Sequence, residues 1–155
     1  MSKTIIHTAK SMRQFLLHQL QSISEELFDV QPQGFSNTIR WNAGHIAFFH
    51  DYFLSLGLPV QSNLSEQYAT LFHSGTQPSE WVITPPSKEE LIEQLSAQLA
   101  NMSEIDPSAL DELLKSPIEM GPLQFETVGE IVNFSTAHEA MHLATISCLV
   151  KAAQS

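Results

Sequence analysis

Apolar positions along the chain gather into four periodic segments, separated by stretches rich in Pro, Gly and Ser. In residues 4–27, Ile5, Ala9, Met12, Leu16, Leu20, Ile23 and Leu27 recur at steps of three or four, the spacing of one helix face. Ser11, Gln14, His18, Gln21 and Glu25 fall on the other side, and Gln31-Pro-Gln-Gly34 is the expected end of the segment. The second segment opens at Trp41-Asn-Ala-Gly-His45 and continues to Leu56, with Asn42 as its expected N-cap and Gly57-Leu-Pro59 as its stop. Nearly every residue from Ile46 to Leu56 is apolar. A helix greasy all round must be covered on more than one side, and a subunit interface is one way to cover it. The third segment opens on a capping box, Ser87-Lys-Glu-Glu90, and carries Leu91, Leu95, Leu99 and Met102 on one face. A second capping box, Thr127-Val-Gly-Glu130, opens the last helix, which runs to about Val150.

Four helices, each with an apolar face, predict an all-α four-helix bundle in a single domain over residues 1–155. A long connection, residues 58–86, separates the second helix from the third, with a short helix expected around residues 65–72. Connections of this length are uncommon in compact domains and often act as functional lids. Residues 116–125 offer at most a short extended piece, because Pro117, Gly121 and Pro122 argue against a central strand.

Composition narrows the function classes. A net charge of -10, from 17 acidic and 7 basic residues, disfavours a nucleic-acid or anionic-membrane surface, since both require clustered Lys and Arg. The basic residues are instead scattered singly from Lys3 to Lys151. No stretch approaches the roughly 20 apolar residues that span a bilayer. Residues 1–7 lack the apolar run of a signal peptide, so a cytoplasmic location is expected. The single cysteine, Cys148, rules out an internal disulfide framework and reads by default as a buried core thiol.

The candidate chemistry sits on the last helix. Ile131, Ser135, His138, Met141 or His142, Thr145 and Leu149 step along one stripe, the one expected to face the bundle interior. Two imidazoles at positions i and i+4 have Cβ atoms roughly 6 Å apart, so both rings reach one ion. Buried without partners, each would cost about 1–3 kcal/mol, and a metal removes that cost. The bland alternative is a pair of core histidines satisfied by hydrogen bonds. His138-Glu-Ala-Met-His142 is also a literal His-Glu-x-x-His, the zinc-protease motif. Such proteases take a third ligand from further along, yet residues 143–155 contain no His, Asp or Glu, so the third ligand is expected upstream. His45 is the best candidate, sharing a helical stripe with Phe49, Tyr52 and Leu56 and standing beside Gly44, which lets another helix or a ligand come close. His50 lies about 140° round and should face elsewhere. His7 and His18 read as solvated surface, and His73 could contribute only if the long connection folds over the site. Glu139 and Tyr52 are the nearest candidates for handling a proton.

The ordered set of Trp41-Asn-Ala-Gly-His45, Thr127-Val-Gly-Glu130 and His138-x-x-x-His142 resembles the DinB-like superfamily, which includes the YfiT-type proteins, along nearly the whole chain. The resemblance implies a four-helix bundle, commonly a homodimer, with a histidine triad (by position His45, His138 and His142) binding nickel, zinc or another divalent metal ion. It further implies either transfer of a low-molecular-weight thiol such as bacillithiol or mycothiol, or metal-dependent hydrolysis. Members often follow the last histidine with x-Gly-Gln-Ile, whereas this chain has Leu143-Ala-Thr-Ile146.

Two function classes follow. The first is a metal-dependent enzyme on a small-molecule substrate, either a thiol transferase or a hydrolase. The second is a non-catalytic metal-binding, stress-related module that works through a dimer surface, for which the greasy second helix is the supporting feature. Three imidazoles accept nickel, zinc, copper or iron, so the metal itself is set by availability.

Overall fold

The computed structural model describes residues 1–154. Its regular elements are α1 (Ser2–Ser22), α2 (Ile39–Ser55), α3 (Gln67–Phe72), α4 (Lys88–Met102), β1 (Leu113–Met120), β2 (Leu123–Thr127) and α5 (Val128–Ala153). Single 3-10 turns stand at Glu25–Leu27, Pro78–Glu80 and Pro107–Asp111. The four long helices form a closed ring of neighbours, with α1 packed on α4 and α5, and α2 packed on the same two.

The apolar stripe of α1 turns inward as its spacing requires, with Ala9, Leu16 and Leu20 buried. The helix stops at Ser22, earlier than the periodicity predicts, and Ile23 is extended. Stopping there lets the chain double back and bury Phe28 completely, its carbonyl accepting from the Arg40 N–H at 3.0 Å. A continued helix could not supply that reversal.

At the start of α2 the expected cap is displaced. Thr38 is the N-cap, its hydroxyl accepting from the Trp41 N–H at 3.2 Å, and Asn42 lies one turn inside the helix with no exposure at all. Most of the apolar circumference of α2 is covered by the chain itself. Ala43, Ile46 and Ala47 join Leu16, Leu20, Leu91 and Leu95 in one core cluster. Phe49, Phe53 and Leu54 meet Leu114, Phe125, Val128 and Ile131 in a second. Tyr52, expected on the inward stripe, is 47% exposed.

Within the long connection, α3 packs against α2. Gly44 makes that approach possible, because a Cβ there would collide with the ring of Phe72. Residues 113–127, where little strand was expected, form an antiparallel hairpin. Two features that argued against a strand are accommodated locally. Gly121, at φ 59, with Pro122 makes the two-residue turn, a glycine-first arrangement that suits hairpins. Pro117 sits in the irregular stretch between the Leu113–Thr127 and Ile118–Phe125 pairs, where the ladder is interrupted.

Both capping boxes form as read, Ser87 with Glu90 and Thr127 with Glu130. The phase of α5 is rotated slightly from the expected stripe. Ile131, Ser135, Glu139, Leu143, Ile146 and Leu149 are among its buried positions, while Met141 is exposed. Cys148 is exposed too, not a core thiol. Among the described residues, no helix is long and apolar enough to cross a membrane.

Candidate metal centre

α2 contributes one imidazole and α5 two. The His45 ring centroid lies 5.1 Å from that of His138 and 4.5 Å from that of His142, and the α5 pair are 4.6 Å apart. One ring nitrogen from each falls within 4.8 Å of the other two. His45 Nε2 and His138 Nε2 are 3.2 Å apart. Two nitrogens bound to one tetrahedral ion stand roughly 3.3–3.4 Å apart, as follows from metal–nitrogen bonds of 2.0–2.1 Å. The donor set and its spacing therefore fit a divalent ion, with His45, His138 and His142 as the residues that would hold it.

Two of the rings are fixed by hydrogen bonds on their far side. His45 Nδ1–H donates to the Phe72 carbonyl at 2.7 Å, leaving Nε2 with its lone pair. That carbonyl ends α3, so the close packing at Gly44 positions an orienting group as well as a helix. His142 Nδ1–H donates to Asn42 Oδ1 at 2.8 Å. Asn42 can only accept there, because its Nδ2 donates to Asn37 Oδ1 at 2.9 Å and the Thr38 carbonyl at 2.8 Å. Carbonyl and amide acceptors behind ligating histidines set the tautomer and the ring direction. Trp41 stacks on His45 at 4.4 Å, and Phe49 and Phe53 each lie 5.4 Å from the His138 ring.

Asn42 was not a site candidate in the sequence, where it read as a helix cap. Its replacement by Leu removes the acceptor behind His142, and metal affinity should fall by about 10–100-fold. A competition titration against a chromophoric chelator checks this, and an unchanged affinity contradicts it.

Burial holds all three imidazoles neutral. His45 is pushed down to about 4 by desolvation and then by His142, and His138 to about 4 by desolvation and His45. His142 is likewise lowered to about 4 by desolvation and then by His138. Neutral imidazole is the ligating form. In the unfolded chain these groups titrate near 6.5. Between pH 6.5 and 4 the unfolded chain therefore binds protons that the folded one refuses. Stability of the metal-free protein is expected to be full above that window and to fall as pH drops through it. Denaturant midpoints at pH 7.5 and 4.5 test the sign, and the drop should shrink when the three histidines are replaced by Gln.

The family scan matches the DinB superfamily over residues 9–146. The chain belongs to the DinB superfamily. No curated protein matches it. The span that carries the DinB match includes all three clustered histidines together with Gly44 and Asn42. At the position where this DinB chain departs from x-Gly-Gln-Ile, Thr145 donates back to the Met141 carbonyl at 3.1 Å, within its own helix.

Of the other singled-out residues only His73 stands near the cluster, close enough for its charge to act on His45. Glu139 is 3% exposed and faces α1, where Arg13 Nε and Nη2 donate to its two oxygens at 2.9 and 3.0 Å. Tyr52 packs edge-on against Phe49 and is largely exposed. His73 stands near Phe48 and Phe49, its ring centroids 6.0 and 5.9 Å from theirs, and its Nδ1 donates to the Ser74 carbonyl. His7 and His18 are exposed, and His50 is buried on another flank of α2.

Proposed function

We propose that His45, His138 and His142 hold a divalent metal ion, nickel or zinc, and that the protein is a metal-dependent enzyme transferring a low-molecular-weight thiol to a small electrophile. The observation that narrows the choice is the Arg13–Glu139 pair. The one carboxylate of the His-Glu-x-x-His segment has both oxygens engaged by a guanidinium, on the side of α5 away from the cluster. Tyr52, the other proton-handling candidate, projects to solvent. A protease-type hydrolysis, in which the carboxylate of His-Glu-x-x-His takes a proton from water, is therefore not served by Glu139. A thiol or a water held by a divalent ion would lose its proton under the ion's charge without such a group, and between these two the family resemblance favours the thiol. A divalent ion lowers the pKa of a coordinated thiol, which is then present as thiolate near neutral pH.

The chain's own residues do the rest. Phe72 and Asn42 hold two imidazoles with their lone pairs turned toward the centre. Trp41, Phe49 and Phe53 line it with apolar surface, which favours an apolar electrophile. His138 and His142 are only partly buried, so the centre opens to solvent on the α5 side. A four-helix bundle is the reading that the closed ring of α1, α5, α2 and α4 supports. A homodimer and a cytoplasmic location rest on the resemblance and on the sequence alone.

The test is a screen of purified, nickel- or zinc-loaded protein with cysteine, glutathione, coenzyme A and bacillithiol against monochlorobimane. A saturable rate with one thiol, lost in His138→Ala, is the expected result. If the loaded protein shows no thiol-dependent rate above background, the transferase reading is wrong, and the metal-dependent hydrolase and the non-catalytic module are what is left.

A further inference from the structure

A cavity of about 550 Å³ opens on a flank of α2 away from the histidine cluster, between α2, α4, the start of the long connection and the turn before Ala109. None of the three clustered histidines lines it. Its size lies within the range of small-molecule sites, roughly 300–1,000 Å³. Leu54, Leu58, Val60, Met102 and Ile105 give it apolar walls.

Its polar end has two features that a filler of packing space would not need. His50 lines the cavity, is 6% exposed, and makes no hydrogen bond to any described residue. Its ring nitrogens open onto the cavity without a protein partner, so they offer a ligand there one donor and one acceptor. Beside it stands Asp51, whose Oδ1 accepts from Gln98 Nε2 at 2.8 Å and whose Oδ2 accepts from the Ser62 hydroxyl. Ser62 belongs to the long connection, so this bond also ties the cavity's outer wall to α2. Glu104 and Asp106 add two more carboxylates to the lining, which contains no Lys or Arg. The nearby Arg13 is directed at Glu139 and at the Gln98 side-chain oxygen.

We propose that this cavity is a second ligand site, which takes a small amphipathic amine, its ammonium between His50 and Asp51 and its hydrocarbon body against Leu54, Leu58, Val60, Met102 and Ile105. Asp51 has no cation in direct contact, only the charge of Arg13 behind it, and such a carboxylate favours a cationic ligand over an anionic one. Burial, with Arg13 behind it, keeps His50 neutral, so that one ring nitrogen accepts an N–H from the ligand. The proposal is independent of the thiol-transferase reading, and its test does not use activity.

The probe is n-hexylammonium, with n-hexanol and n-hexanoate as isosteric controls, titrated into the full chain by calorimetry and by NMR of the His50 ring. Saturable hexylammonium binding is expected, with movement of the His50 resonances. Hexanol should bind about tenfold more weakly for want of the charge-assisted hydrogen bond, and hexanoate more weakly still. Asp51→Asn should weaken hexylammonium by a similar factor and leave hexanol unchanged. Val60→Phe, which fills the cavity from the connection side, should abolish hexylammonium binding at unchanged metal stoichiometry. The proposal is overturned if hexanoate binds as well as hexylammonium, if the His50 resonances do not move, or if Val60→Phe binds like the parent chain.

Discussion

Replacing any one of His45, His138 and His142 by Ala is expected to weaken divalent metal binding by on the order of a hundredfold or more. Loss of a group that merely orients a ligand costs about 10–100-fold, and loss of the ligand itself removes a bond as well. The three should behave alike, because each supplies one nitrogen to a cluster in which all lie within 4.8 Å. His50→Ala, on another flank of α2, serves as the control and should bind metal as the parent does. Competition against a chelator of known affinity measures all four. Wild-type affinity in each of the three single variants would leave the cluster without a role in binding.

The second large effect is on stability. Arg13 and Glu139 have side-chain exposures of 0% and 4% and are joined by two hydrogen bonds. Arg13 also donates to the Leu95 carbonyl at 3.1 Å and to Gln98 Oε1 at 2.8 Å. It thereby ties α1 to both α4 and α5. Glu139→Ala leaves that guanidinium buried with no carboxylate beside it, and should destabilise the fold by about 3–5 kcal/mol. The double variant Arg13→Met, Glu139→Leu should recover much of the loss, because two apolar side chains of similar volume require no desolvation of charge. Urea unfolding of the single and double variants measures both. A cost below about 1 kcal/mol for the single change would show that the pair does not hold the helices together. It would also return Glu139 to the candidates for proton transfer.

How far the sequence reached can be judged from particular residues. The two capping boxes were legible because the motif is local, with both partners within four positions. The i, i+4 pair on α5 was legible for the same reason. His45 was reached from 93 residues away, by the helical stripe it shares with Phe49 and by the lack of ligands after His142. Asn42 was misassigned because Thr38 and Asn42 both suit an N-cap. Only the tertiary contact with His142 decides that one caps the helix and the other works inside it. The hairpin was hidden by Pro117, Gly121 and Pro122, which argue against a central strand but suit an irregularity and a tight turn.

The Arg13–Glu139 pair had no local signature at all. Its partners are 126 residues apart, and neither residue's neighbours in sequence point to the other. The sole hint was position: Arg13 stands four residues after Ala9 and three before Leu16, on the face of α1 that is buried. Cys148 failed by phase. A small rotation of α5 places Glu139 against α1 and the two histidines toward α2, and carries Cys148 to the surface. A periodic stripe specifies a face only to within about a residue, and here that residue separates core from solvent.

The most direct measurement is an anomalous difference map from crystals of the metal-loaded protein, collected at the absorption edge of the bound ion. The expected result is a single peak at bonding distance, about 2.0–2.1 Å, from His45 Nε2, His138 Nε2 and a ring nitrogen of His142. Glu139 should still be paired with Arg13 and remote from the peak. A peak elsewhere, or crystals of protein carrying stoichiometric metal with no density between these three rings, would contradict the three-histidine centre.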